Sequence, residues 1–150
     1  MCPSKIALSQ HPMDTKGLRH HGLKVTAPRT KILQILEESP NMHLSAEQIY
    51  QTLHDSEQNV GLATVYRVLT QFEQAGIVKR HNFEEGRSVF ELDQGAHHDH
   101  LVCVKCGKVI EFIDLEIEKR QKNICEHHGF TMTDHSLTLY GHCKNCESTN

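Results

Sequence analysis

Residues 61–92 read GLATVYRVLTQFEQAGIVKRHNFEEGRSVFEL. Leu62, Val65, Leu69 and Phe72 recur at helical spacing between Gly61 and Gly76, which predicts a helix with one apolar face. Ile77–His81 and Arg87–Leu92 follow, joined by a turn ending in Gly86, the pattern of a β-hairpin with a glycine-containing loop. Strand alternation in Ser88–Leu92 sends Phe90 and Leu92 to the buried side and Glu91 away from that core. Glu91 is then either a ligand facing the next segment or a plain solvated carboxylate.

Upstream, the pattern supplies the helices such a unit needs. A short helix around Thr15–His21 stops at Gly22. Thr26 can cap the next, with Pro28 in its first turn and Ile32, Leu33, Ile35 and Leu36 on its apolar side. Ser45-Ala-Glu-Gln48 is a capping box opening a third helix, striped by Ala46, Ile49, Tyr50 and Leu53. Helices followed by a hairpin make a winged helix-turn-helix. Residues 15–36 carry five Lys or Arg and no acid, and residues 58–72 carry no acid either. The helix after Gly61 could place Ala63, Thr64, Tyr66 and Arg67 in a major groove, with Lys24 and Arg29 on phosphate or in the minor groove. An ordinary solvated helix face would carry the same pattern.

Downstream, residues 97–112 read HHDHLVCVKCGKVIEF. Cys103 and Cys106 form one Cys-x-x-Cys pair and Cys143 and Cys146 a second, with 36 residues between the pairs. Four thiolates suffice for a closed, tetrahedral, structural zinc site; a redox-active thiol pair is the alternative. In an extended segment His98 and His100 share one side, and His97 and Asp99 the other. That could build two distinct nitrogen/oxygen sites, against the reading of a solvated His-rich linker. Short strands at Leu101–Val104 and Val109–Ile113 flank the knuckle. Asp114 can cap a helix ending near Gly129, and Phe130–Gly141 is mostly extended. The fold class is α+β, with a small α/β module after the winged helix.

The totals set limits. A chain of 150 residues makes one domain or two small ones, and a net charge of −3 gives no global attraction to nucleic acid, so any DNA surface is a local patch. Thirteen histidines point to metal. Four of the six cysteines form the two Cys-x-x-Cys pairs, which with no N-terminal apolar segment read as zinc ligands in a reducing cytoplasm, not as disulfides, while Cys2 reads as an exposed thiol and Cys125 as a packed one. No stretch approaches the ~18–20 apolar residues of a membrane helix.

The chain resembles the ferric uptake regulator (Fur) family of metal-dependent bacterial repressors over about residues 15–146. The resemblance is carried by Gly-Leu-Lys-Val-Thr-x-Pro-Arg (22–29), Gly-Leu-Ala-Thr-Val-Tyr-Arg-Val-Leu (61–69), Ser-Val-Phe-Glu-Leu (88–92), His-His-Asp-His-Leu (97–101), Cys-x-x-Cys-Gly-Lys-Val-Ile-Glu-Phe (103–112) and His-Ser-Leu-x-Leu-Tyr-Gly-His-Cys (135–143). It implies a winged-helix DNA-binding domain (15–92) joined by a linker (93–97) to a metal-binding dimerisation domain (98–147); outside the resemblance, residues 1–14, without period and carrying Pro3 and Pro12, read as a flexible arm and 148–150 as a tail. It also implies a structural Zn2+ on Cys103, Cys106, Cys143 and Cys146. Regulatory Fe2+, for which Mn2+ or Zn2+ could substitute, would bind at His43, Glu91, His98, His100 and Glu111. An additional site would use His97, Asp99, Glu118 and His135. DNA contacts fall on Lys24, Arg29, Ala63, Thr64, Tyr66 and Arg67. The expected protein is a cytoplasmic homodimer that represses iron-acquisition genes at an AT-rich palindromic operator in double-stranded DNA. The same fold sensing zinc, manganese or peroxide is the near alternative; Glu111 leans toward iron, because peroxide sensors in the family tend to have Asp there. A zinc hydrolase or deaminase needs an open metal position and a placed base, and no His-Glu-x-x-His is present. A metal-storage protein would not need the helix-turn-helix.

Overall fold

The computed structural model describes residues 15–39, 43–95 and 97–147. The expected arm and tail lie outside the described residues, as does Pro40, which in sequence is expected to end the second helix. The architecture is α+β, and the chain divides between Gln94 and Gly95 into two compact units.

The first unit runs α1 (Thr15–His20), α2 (Ala27–Glu38), α3 (Ala46–Asp55), α4 (Leu62–Gln74), β1 (Val78–Asn82) and β2 (Ser88–Leu92). Its helix ends follow local chemistry. The Thr26 hydroxyl accepts from Arg29 N at the start of α2, and Ser45 and Gln48 exchange side-chain-to-backbone bonds at the start of α3. Losing the Ser45 cap would cost about 1 kcal/mol. Gly76, at φ 75°, turns the chain out of α4 into the hairpin, and Ile77 N returns to Phe72 O at 2.8 Å.

The core of this unit is Leu18, Ile32, Leu33, Leu36, Ile49, Leu53, Val65, Leu69, Phe72, Ile77 and Phe90, none more than 3% exposed. Val68 is buried too: standing three residues after Val65 and four before Phe72, it widens the expected apolar stripe of α4. Leu44 N and O both bond to Phe90, adding one antiparallel bridge outside β2. That bridge fixes His43 directly opposite Glu91.

The second unit runs β3 (Asp99–Cys103), β4 (Val109–Phe112), α5 (Leu115–His127), β5 (Thr138–Gly141) and α6 (Lys144–Glu147). Its sheet has the order β4-β3-β5, with β3 antiparallel to β4 and parallel to β5. The run expected to be extended from Phe130 is a strand only over Thr138–Gly141. Asp114 caps α5, accepting from Glu116 N and Ile117 N.

This unit has a thin core. Among its described residues only Asp99, His100, Val102 and Cys103 are buried, and α5 buries none. Register sets Leu101 opposite both Ile110 and Leu139, and all three are at least 40% exposed. A module of this size and packing needs a metal or a partner.

Candidate metal centres and nucleic-acid face

The four cysteines of the two Cys-x-x-Cys pairs come together at the end of the β3 sheet. Their sulfurs all lie within 4.8 Å of one another, and Cys106 Sγ is 3.8 Å from Cys143 Sγ. Thiolates at ~2.3 Å from a tetrahedral zinc stand about 3.8 Å apart, so the spacing fits that ion. The knuckle is shaped by Gly107, at φ 74°, whose N–H reaches Cys103 O at 2.8 Å. Backbone N–H groups of Cys143, Cys106 and Lys105 are aimed at Cys103 Sγ and pull its thiol down to about 5. Hydrogen bonding to Cys143, together with burial and the other thiols, pushes the Cys146 thiol up to about 12. The knuckle thus holds negative charge on Cys103 before any ion binds, while Cys146 keeps its proton until a metal displaces it.

A second cluster sits across the start of the same sheet. Parallel pairing of β3 with β5 aligns His97 with His135, and their rings stand 3.9 Å apart. His97 Nε2 is 3.4 Å and His135 Nε2 3.9 Å from Asp99 Oδ1. Glu118, from α5, brings a carboxylate oxygen within 4.8 Å of both imidazoles. Asp99 is 1% exposed, yet neither of its oxygens has a hydrogen-bond partner, nor does His97 Nε2 or His135 Nε2. Buried polar atoms left in this way are costly. His97, His135 and Glu118 bring their ligand atoms within 4.8 Å of one another, with Asp99 Oδ1 beside both imidazoles, a nitrogen and oxygen set that fits a divalent cation such as zinc, manganese or iron(II).

The set His43, Glu91, His98, His100 and Glu111 divides between the two units. In the first unit, Glu91 is 4% exposed and accepts from two imidazoles: His43 Nε2 at 3.1 Å and His81 Nε2 at 2.7 Å. Glu91 is therefore not a solvated carboxylate. In the second unit, His100 stands directly opposite Glu111 in the β3–β4 register, and His98 Nε2 is 3.3 Å from Glu111 Oε1. The rings of His98 and His100 lie 5.1 Å apart. Each half offers nitrogen and oxygen donors without a thiolate.

Sequence reasoning missed His81. Its signal was available in the hairpin: Lys79 pairs with Glu91, so His81 is the diagonal neighbour on the same face.

The α4 surface presents Ala63, Tyr66 and Arg67 as exposed residues, with Thr64 half-buried. Arg29 is directed inward. Its Nε and Nη2 both bond Gln71 Oε1, at 3.2 and 2.8 Å, and its Nη1 donates to Lys24 O at 2.8 Å. Arg29 thus ties the start of α2 to α4, while Lys24 stays exposed. Cys125 stands half-buried on α5, apart from these clusters.

Residues 20–140 match the model of the ferric uptake regulator family. The chain is similar to the ferric uptake regulation protein of Legionella pneumophila, at 63% identity over 134 residues, covering 89% of this chain and 98% of that one. It is similar in structure to the ferric uptake regulator of Francisella tularensis solved with iron, with TM-score 0.82 and 45% identity over 84% of this chain and 96% of that one. The Pseudomonas aeruginosa regulator solved with manganese gives TM-score 0.71 and 56% identity, over 87% of this chain and 97% of that one.

Proposed function

The chain belongs to the ferric uptake regulator family, and on that premise we propose that iron(II) at His43, Glu91, His98, His100 and Glu111 is the co-repressor that switches it onto an operator. The protein is a metal-responsive transcription regulator of a family of DNA-binding dimers, and it is not an enzyme.

The observation that carries the reading is the buried Glu91 carboxylate held between two imidazoles at the end of the wing. His98, His100 and Glu111 repeat the same chemistry in the other unit. Nitrogen and oxygen donors without thiolate suit an exchangeable iron(II) or manganese. When bound, the ion supplies a coordination centre and nothing else; no bond is made or broken. The residues do the rest. Drawing donors from both units selects one arrangement of the winged helix and the dimerisation domain, and that shifts a population only by its preference for the DNA-competent state.

Cys103, Cys106, Cys143 and Cys146 are the structural zinc ligands in this reading, and His97, Asp99, Glu118 and His135 hold an additional ion within the second unit. The exposed row Leu101, Ile110 and Leu139 is where two copies pair. Ala63, Thr64, Tyr66 and Arg67 then enter the major groove of an AT-rich palindrome, with Lys24 and Arg29 beside the backbone. The protein works in the cytoplasm on iron-acquisition genes; among the described residues no helix is long and apolar enough to cross a membrane.

Fluorescence anisotropy on AT-rich palindromic DNA tests the proposal, with anaerobic Fe(II), Mn(II), Zn(II) or a chelator added. Tight binding with iron or manganese and weak binding in chelator is expected. Equal binding in all four would remove the metal switch.

A further inference from the structure

In sequence, residues 58–72 are free of acid. In space they are not. Glu47, in the first turn of α3, reaches the α4 surface and accepts a hydrogen bond from the Tyr66 hydroxyl. Both residues are exposed, Tyr66 by 41%, so this pair lies on the surface that faces DNA if α4 does.

We propose that Glu47 is a specificity-determining partner of Tyr66: it holds the phenol ring across the α3–α4 junction and keeps the hydroxyl hydrogen from DNA phosphates. The inference rests on the reading that α4 enters the groove.

Three observations support it. First, the hydrogen bond dominates the chemistry of both partners: it lowers the Glu47 carboxyl below its usual range and raises the Tyr66 phenol above its own. Second, the bond joins residues 19 positions apart across two packed helices, so the α3–α4 packing brings the acceptor to the ring. Third, a carboxylate in the first turn of α3 is favoured there by the helix dipole and stays charged.

Two effects on DNA follow. A phenol whose hydrogen is already donated meets a duplex as an apolar ring edge. It can pack on a thymine methyl but has no hydrogen left for a phosphate, so its contribution depends on the base. The carboxylate also stands beside the groove-facing helix, on the helix that crosses the DNA backbone in this motif. Its charge disfavours every duplex equally, and only a duplex that offers the ring a good contact offsets that cost.

Two substitutions separate the effects. Glu47→Gln keeps an acceptor for Tyr66 and removes the charge. Glu47→Ala removes both. The probe is a duplex selected by the wild-type protein, with saturating Mn(II), from a random-sequence pool; the competitor is the same duplex with its sequence shuffled. Affinity for both is measured against salt, alongside the thermal midpoint and zinc content.

Glu47→Gln should tighten binding to both duplexes to a similar extent and steepen the salt dependence by up to about one counterion. Glu47→Ala should bind the shuffled duplex more tightly and lower the selected-to-shuffled ratio by about tenfold, the scale of losing one base contact. Arg67→Ala is run beside them. If Arg67→Ala lowers the ratio and Glu47→Ala leaves it within about twofold of wild type, α4 reads DNA and Glu47 does not tune it. If Glu47→Ala weakens both duplexes in parallel and drops the thermal midpoint, Glu47 is only structural and the proposal fails. If neither variant changes the ratio, the placement of α4 falls, and this inference with it.

Discussion

His81 is the diagonal neighbour of Glu91 across the β1–β2 hairpin, and its Nε2 lies 2.7 Å from the carboxylate Oε1. With His43 on the other oxygen, the carboxylate is fixed in one orientation from both sides. His81→Ala should weaken manganese binding by about 10–100-fold, the usual cost of losing a group that orients a ligand. Isothermal titration of zinc-loaded protein measures it. Wild-type affinity in His81→Ala would mean that His43 alone positions Glu91.

The four-cysteine site makes a separate demand. Cys103 sits where three backbone N–H groups converge, so Cys103→Ser should lose zinc and weaken the dimer, because metal-binding energy is folding energy in so thin a module. Native mass spectrometry reads both. A zinc-loaded dimer at wild-type abundance would remove the structural assignment.

The same thiols give a pH signature once zinc is stripped under reducing conditions. The Cys103 thiol is lowered to about 5 and the Cys146 thiol raised to about 12. Cys103 therefore favours the folded apo-protein above the ordinary thiol range, and that contribution is lost as pH falls through about 5. Cys146 has the opposite sign: its preference for the neutral thiol favours the fold at low pH and is lost as pH rises toward about 12. Ultraviolet thiolate absorbance should show one thiolate formed near the acid end and one delayed to the alkaline end. A single step shared by all four cysteines in the ordinary thiol range would contradict the hydrogen-bonded knuckle.

Asp99 carries the next prediction. Its oxygens are buried without hydrogen-bond partners beside His97 and His135. In a zinc-loaded His43→Ala background, manganese should stabilise the Asp99 protein by about 2.7 kcal/mol at a hundredfold excess over Kd. Asp99→Asn should lose that gain and melt no lower than its parent in chelator. Thermal melts against manganese check this. An undiminished rise in Asp99→Asn would place the additional ion elsewhere.

Much of this was legible because single residues carry strong local signals. Thr26, the Ser45/Gln48 box, Gly76 and Asp114 each mark a helix boundary through local hydrogen bonds or one backbone angle. Alternation separates His98 and His100 from His97 and Asp99, because neighbours in a strand face opposite ways. What escaped was set by pairing across the chain. His81 became a partner of Glu91 through hairpin register, and Arg29 turned inward through Gln71, 42 positions away. Glu47 entered an apparently acid-free surface from a neighbouring helix. A scan along one strand or one helix contains none of these distances.

The measurement closest to the central claim is operator affinity against iron(II) or manganese concentration for His100→Ala and His135→Ala, each with its structural zinc retained. The account predicts that His100→Ala stays dimeric yet loses metal-stimulated binding, while His135→Ala keeps most of it. A metal response in His100→Ala that matches wild type, with the response lost in His135→Ala, would put the switch at the other site.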